Sequence, residues 1–137
     1  MEACLKVYSD GASRGNPGPS AIAFLVVAEE GKILTKCSRY SGVGTNNQAE
    51  YEALISALQS ASRLSARKIV CHLDSQLVVK QLNGEYRVRS SRLKILWQKV
   101  RSLKKVFQEV SFVYLPRTNH YIELVDRMAN QALDQVD

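Results

Sequence analysis

The stretch that most limits what this chain can fold into is an unbroken apolar run at residues 21–28, Ala-Ile-Ala-Phe-Leu-Val-Val-Ala. Eight residues are strand length, far short of the ~18 apolar residues that a membrane helix needs. A strand without polar alternation has both faces covered, so the run predicts a central strand with packed layers above and below it. Glu29-Glu30-Gly31 then makes a hairpin turn into a third strand over residues 32–40. Upstream, Leu5-Lys6-Val7-Tyr8-Ser9 alternates with period two and predicts a strand that ends at Asp10. Residues 11–19, with three glycines and two prolines, predict a turn-rich loop between the first two strands.

From Asn47 the period changes. Ala49, Ala53, Leu54, Ala57, Leu58 and Ala61 fall at helical spacing, and so many alanines on one face predict close packing on a sheet. Residues 68–73 form a short β-branched strand that stops at Asp74. Residues 75–82 form a short helix closed by Asn83-Gly84. Leu93, Leu96, Trp97, Val100, Leu103 and Val106 make the apolar stripe of a longer helix, with Trp97 on the core side. A strand at 110–115 stops at Pro116, and a last helix over 122–136 carries Ile122, Val125, Ala129, Ala132, Leu133 and Val136 on one side. The order βββαβααβα predicts an α/β fold in one domain, residues 1–137: a mixed five-stranded sheet, its first three strands antiparallel, with helices on both faces.

Charge is unevenly spread. Between Gly84 and Phe107 lie Arg87, Arg89, Arg92, Lys94, Lys99, Arg101, Lys104 and Lys105 against the single acid Glu85, so this segment carries 8 − 1 = +7, more than the chain's whole net charge of +6. The remainder has 11 basic and 12 acidic residues, or −1. With no acids interleaved, neighbouring cations on that helix repel one another, and a polyanionic partner such as nucleic acid relieves the repulsion. Three cysteines, Cys4, Cys37 and Cys71, lie in predicted strands without CxxC spacing and read as buried, reduced thiols suited to the cytoplasm. Met1 leads directly into a strand pattern and the chain stops just after the last helix, which predicts a free-standing monomer without signal peptide or membrane segment.

Four acids draw attention. Asp10 and Asp74 each follow a predicted parallel strand, so they converge at one sheet edge if those strands are neighbours. Glu50 opens the first long helix and Asp126 lies near the start of the last, both within reach of the same edge. Carboxylates gathered this closely repel unless protonated or bridged by cations, and oxygen donors with few imidazoles suit Mg²⁺ or Mn²⁺ rather than zinc. Each acid alone has a plain structural reading; Asp74, for instance, is placed to cap the short helix.

The words of sequence around these acids are more specific. Tyr8-Ser9-Asp10-Gly11-Ala12-Ser13-Arg14-Gly15-Asn16-Pro17-Gly18-Pro19, Thr45-Asn46-Asn47-Gln48-Ala49-Glu50-Tyr51, Asp74-Ser75-Gln76-Leu77-Val78 and Asp126-Arg127-Met128-Ala129-Asn130-Gln131-Ala132-Leu133 resemble, in order, the four motifs of the type 1 ribonuclease H family. The resemblance spans essentially the whole chain, in the compact form of archaeal and some bacterial members. It implies an endoribonuclease that hydrolyses the RNA strand of RNA–DNA hybrids, with two divalent ions per site and products ending in 5′-phosphate and 3′-hydroxyl.

By that resemblance Asp10 bridges both ions, Glu50 and Asp74 share one, and Asp126 supports the other. Asn16, Asn47 and Gln76 would meet the RNA minor groove, where the 2′-hydroxyl marks RNA, and Thr45 and Asn46 a DNA phosphate. Gly11 and Ser13, in the loop of small residues, would let the backbone approach a sugar. His120 is expected in a loop, where family members carry a mobile histidine that assists proton transfer or product release. His72 reads as structural. The segment before Asp126 runs longer than the family pattern and holds Ile122 where asparagine is common. Competing readings are a non-catalytic module that binds hybrid or duplex, a nuclease that also cuts double-stranded RNA, and a polymerase-associated fragment.

Overall fold

A computed structural model describes residues 4–136; Met1 to Ala3 and Asp137, and so the expected run from Met1 into the first strand, lie outside the described residues. Five strands and four helices follow the predicted order: β1 (Cys4–Ser13), β2 (Gly18–Ala28), β3 (Ile33–Gly44), α1 (Asn46–Ala61), β4 (Lys68–Leu73), α2 (Gln76–Leu82), α3 (Ser91–Lys104), β5 (Glu109–Tyr114) and α4 (His120–Asp134). The sheet order is β3-β2-β1-β4-β5. β1, β2 and β3 pair antiparallel, whereas β4 joins β1, and β5 joins β4, in parallel. The apolar run lies in β2, next to the central strand, and Ala21 to Ala28 are all buried.

Each sheet face has its own core. Leu5 and Val7 of β1, Phe24 and Val26 of β2 and Ile69, Cys71 and Leu73 of β4 pack under α1, α2 and α3. On the opposite face Tyr8, Ala21, Ala23, Leu25 and Val27 meet Ile122, Val125, Met128, Ala129 and Leu133 of α4. The two cores use alternate residues of the same strands, which is why residues 21–28 of β2 hold no polar position. The Ala49, Ala53, Ala57 and Ala61 row of α1 is at most 1% exposed and lets the helix lie close to the sheet. Burying Leu54 and Leu58 beside that row contributes about 1.5–3 kcal/mol each.

Several boundaries differ from expectation. β1 does not end at Asp10: Gly11, Ala12 and Ser13 stay paired with Ile22, Ala21 and Ser20, so the predicted loop shrinks to residues 14–17. The Gly11 that read as a turn signal serves packing instead. A Cβ there would lie 2.2–2.4 Å from the backbone of Ala49 and Glu50. α4 begins at His120, not at Ile122, because the Asn119 side chain caps it by accepting from the N–H groups of Tyr121 and Ile122 at 3.0 and 3.2 Å. Ile122 is fully buried in the α4 core. Asp74 does not cap α2; the Ser75 hydroxyl does, accepting from Val78 N–H at 3.2 Å. Of the cysteines only Cys71 is buried, while Cys4, at the start of β1, and Cys37, on the edge strand β3, are half-buried.

The basic helix α3 packs by one edge. Val100 is buried, Trp97 is half-buried with its indole N–H donating to Gln81 O at 3.2 Å, and Val106 lies exposed just beyond the helix end. Among the described residues no helix is long and apolar enough to cross a membrane.

Candidate functional site

The parallel ladder between β1 and β4 runs from Cys4 and Lys68 to Tyr8 and His72 and then stops. Asp10 and Asp74 stand two residues beyond that last pair, where the two strands part and the backbone leaves room for side chains. Tyr8 faces α4, so by strand alternation Asp10 points to the same side and Gly11 to the α1 side. Below them His72 is held by an aromatic stack, with its ring 4.5 Å from Tyr8 and its Nδ1 3.0 Å from Val7 O.

Glu50 arrives from the other layer. The turn into α1 is set by a capping box: the Thr45 hydroxyl accepts from Gln48 N–H at 3.2 Å and the Gln48 side chain accepts from Thr45 N–H at 2.7 Å. With that entry fixed and no Cβ on Gly11, the second turn of α1 sits directly on β1. The Gly11 N–H then donates to Glu50 Oε1 at 3.2 Å. Asp126 is presented from α4, one turn before Asn130, whose Nδ2 donates to Asp126 O at 2.9 Å.

Asp10, Glu50 and Asp74 each offer a carboxylate oxygen within 4.8 Å of the others. Asp10 and Glu50 are buried. Burial first, then the charges of Glu50 and Asp74 and a hydrogen bond shared with Asp126, push the Asp10 carboxyl up to about 11. Burial and the Asp74 charge push Glu50 up to about 8, against the opposing pull of the Gly11 N–H. Asp10 Oδ2 is buried without a hydrogen-bond partner. An orphaned oxygen amid mutually repelling carboxylates is the environment that a hard cation satisfies, so this donor set fits a divalent metal.

One charge of the site was passed over in the sequence. Arg117, just after β5, donates from Nε to Asp74 Oδ2 at 3.2 Å, and Asp126 first, then Asp74 and Asp10, hold its guanidinium protonated. The signal was available: Pro116 ends β5 beside Asp74, because β4 and β5 are parallel neighbours, and Arg117 follows it.

The expected substrate residues gather in part. Asn16, Thr45, Asn46 and Asn47 line one open cavity of about 630 Å³, together with Gln48, Ser90, Arg92 and Leu93. Asn46 N–H donates to Asn16 Oδ1 at 3.0 Å, which ties the β1–β2 turn to the start of α1. Ser90 and Arg92 at the start of α3 bring the basic segment to this cavity. Gln76 is exposed at the start of α2, whereas Gly11 is buried under α1 and the Ser13 hydroxyl is committed to the carbonyls of Gly15 and Gly44. His120 lies in no loop: it is the exposed first residue of α4, edge-on to the Tyr121 ring at 5.3 Å. The far end of α3 is otherwise engaged, with Arg101 4.9 Å from the centre of the Trp97 ring and Lys104 5.6 Å from that of Phe112.

Fold and site together define an α/β domain with a cluster of carboxylates that could hold a metal ion at the open edge of a mixed sheet. Residues 8–132 match the model of the reverse transcriptase-like family. The ribonuclease HI of Halobacterium salinarum is 42% identical over 127 residues, covering 93% of this chain and 63% of that protein. The crystal structure of RNase H1 from that archaeon superposes with a TM-score of 0.92 at 40% identity, covering 97% of this chain and 99% of the other. LC11-RNase H1, solved in complex with an RNA/DNA hybrid, superposes with a TM-score of 0.88 at 35% identity over 96% of this chain and 98% of that one. The chain belongs to the ribonuclease H family. It spans 63% of the halobacterial relative's length and 35% of that of the bifunctional protein Rv2228c of Mycobacterium tuberculosis, to which it is 35% identical.

Proposed function

We propose that this chain is an endoribonuclease that hydrolyses the RNA strand of RNA–DNA hybrids, with two Mg²⁺ or Mn²⁺ ions held by Asp10, Glu50, Asp74 and Asp126. The observation that carries the reading is the buried, unpartnered Asp10 Oδ2 within a cluster of carboxylates drawn from β1, α1 and the end of β4. Bound divalent cations would supply a low pKa to the attacking water and neutralise the departing 3′-oxygen. Asp10, the most buried of the four, Glu50, Asp74 and Asp126 would hold the ions. Arg117 offers guanidinium N–H groups beside Asp74, where a phosphate oxygen of the scissile strand would lie.

The RNA strand would pass Asn16, Asn47 and Gln76, whose amides donate and accept as a 2′-hydroxyl requires. A DNA phosphate would occupy the cavity shared by Thr45, Asn46 and Arg92. Gly11 and Ser13 contribute by shaping this face, since the N–H of one and the hydroxyl of the other are already engaged. His120, six residues before Asp126 and so about 9 Å along the helix, is assigned proton exchange with solvent rather than contact with the reacting phosphate. Residues 1–137 would act as one domain and one monomer in the cytoplasm, a location that the buried thiol of Cys71 suits.

The test uses an RNA–DNA duplex labelled on the RNA strand with Mg²⁺ or Mn²⁺ and an EDTA control, beside single-stranded RNA, double-stranded RNA and double-stranded DNA. Metal-dependent cleavage of the hybrid by the wild type, with Asp10→Asn folded and binding yet inactive, is the expected result. Full activity in Asp10→Asn removes the site assignment; binding without cleavage by the wild type favours the non-catalytic module.

A further inference from the structure

Asp126 is half-buried on α4 and stands outside the cluster formed by Asp10, Glu50 and Asp74. Toward its start α4 is held by stacking, Tyr121 lying 4.5 Å from the Tyr8 ring. Toward its end the contact is of another kind. Arg14, in the turn after β1, places Nη2 2.5 Å from Asp134 Oδ1 and 3.2 Å from Asn130 O. Asp126, Asn130 and Asp134 follow one another at intervals of four and so share a helix face, and Asn130 is the residue whose side chain holds the backbone of Asp126. The same turn carries Asn16, which accepts from Asn46 N–H at the start of α1. Arg14 and Asn16 thus tie the helices that bear Asp126 and Glu50 to a single four-residue turn.

We propose that Arg14 is a positioning residue that sets Asp126 against Asp10 by clamping the last turn of α4 to the β1–β2 turn. The proposal rests on the reading of the acid cluster as the metal centre. Stability is not what the clamp chiefly supplies: the Arg14 and Asp134 side chains are 35% and 65% exposed, and an ion pair at such a surface contributes little to folding. What it supplies is geometry, since a guanidinium that grips a carboxylate and a main-chain carbonyl together fixes both the rotation and the height of the helix end. The partly negative carbonyl end of α4 adds to the attraction.

The test compares wild type, Arg14→Gln, Arg14→Asp, Asp134→Arg and the double variant Arg14→Asp/Asp134→Arg. Mn²⁺ binding is measured by calorimetry, and thermal midpoint, kcat and KM are measured on a labelled hybrid. The expected result for Arg14→Gln is Mn²⁺ affinity and kcat each lower by about 10-fold, as for loss of a group that orients a ligand, with KM and thermal midpoint nearly unchanged. Arg14→Asp should lose more, and the exchanged pair should recover part of that loss. Wild-type Mn²⁺ affinity and kcat in Arg14→Gln, with or without a lowered midpoint, would overturn the proposal, as would a double variant no better than Arg14→Asp. Asp126→Asn, run in parallel, separates the two claims. Undiminished Mn²⁺ binding there refutes the metal-centre reading itself, whereas weakened binding there beside an unaffected Arg14→Gln refutes only the clamp.

Discussion

Replacing Gly11 by alanine adds one methyl group at the point where two layers of the fold touch. Its Cβ would lie 2.2 Å from Ala49 C and 2.4 Å from both Ala49 O and Glu50 N, whereas ordinary contact begins at 3.4 Å. All three neighbours are backbone, so no rotamer change relieves the clash. α1 must move away by about 1.2 Å, the shortfall in the closest of these contacts. Overpacking of this kind costs about 1–3 kcal/mol, and stretching the 3.2 Å bond from Gly11 N–H to Glu50 Oε1 adds about 1 kcal/mol. The same shift carries Glu50 away from Asp10 and Asp74, and a displacement near 1 Å at a catalytic group costs roughly 100-fold in rate. Urea denaturation in EDTA should show a lower midpoint with an unchanged slope, and hybrid cleavage at saturating Mg²⁺ should fall by about two orders of magnitude. A Gly11→Ala protein with wild-type midpoint and rate would refute the argument that contact between α1 and β1 places Glu50.

Two further outcomes follow from the electrostatics. Without metal, Asp10 and Glu50 have carboxyls raised toward about 11 and about 8, so the folded state binds more protons than the unfolded chain above their ordinary values. Stability of the EDTA-treated protein should therefore be greatest at mildly acidic pH and decline as pH rises toward 8 and beyond, by at most about 1.4 kcal/mol per pH unit for each group. Mg²⁺ should lessen or reverse that decline; denaturant midpoints from pH 5 to 9 with and without the ion are the check, and a flat metal-free profile would contradict it. Along α3, Arg92→Ala should reduce the slope of log K for hybrid against log salt by about 1, because Arg92 lines the cavity of Asn16 and Thr45. Lys104→Ala, whose ammonium lies over the Phe112 ring, should leave the slope unchanged; equal effects from both would mean that the whole basic helix lies along the duplex.

The local patterns in this sequence decided a good deal without tertiary help. The unbroken run in β2, the alanine row of α1 and the boundaries of β4 were legible because hydrophobic period is a direct consequence of which faces are buried. Motif resemblance picked out the four acids and the residues around Asn16 and Thr45, of which the fold gathers Asp10, Glu50 and Asp74 in one cluster and Asn16, Thr45, Asn46 and Asn47 around one cavity. What the sequence misread were features whose cause lies elsewhere in the fold. Gly11 looked like a turn because glycine's conformational freedom and its lack of a side chain cannot be told apart until α1 is seen lying on it. His120 looked like a loop residue because Asn119, an unobtrusive cap, starts α4 earlier than its apolar stripe does. Arg117 and Arg14 drew no notice because a lone surface arginine has no periodicity; the partners that define them, Asp74 and Asp134, are 43 and 120 residues away. The sequence by itself determined which elements form, and it pointed to Asp10, Glu50 and Asp74, whose carboxylates the fold gathers. Only the tertiary structure decided how those acids are held, because contacts between residues distant in the chain are set by packing that no local pattern encodes.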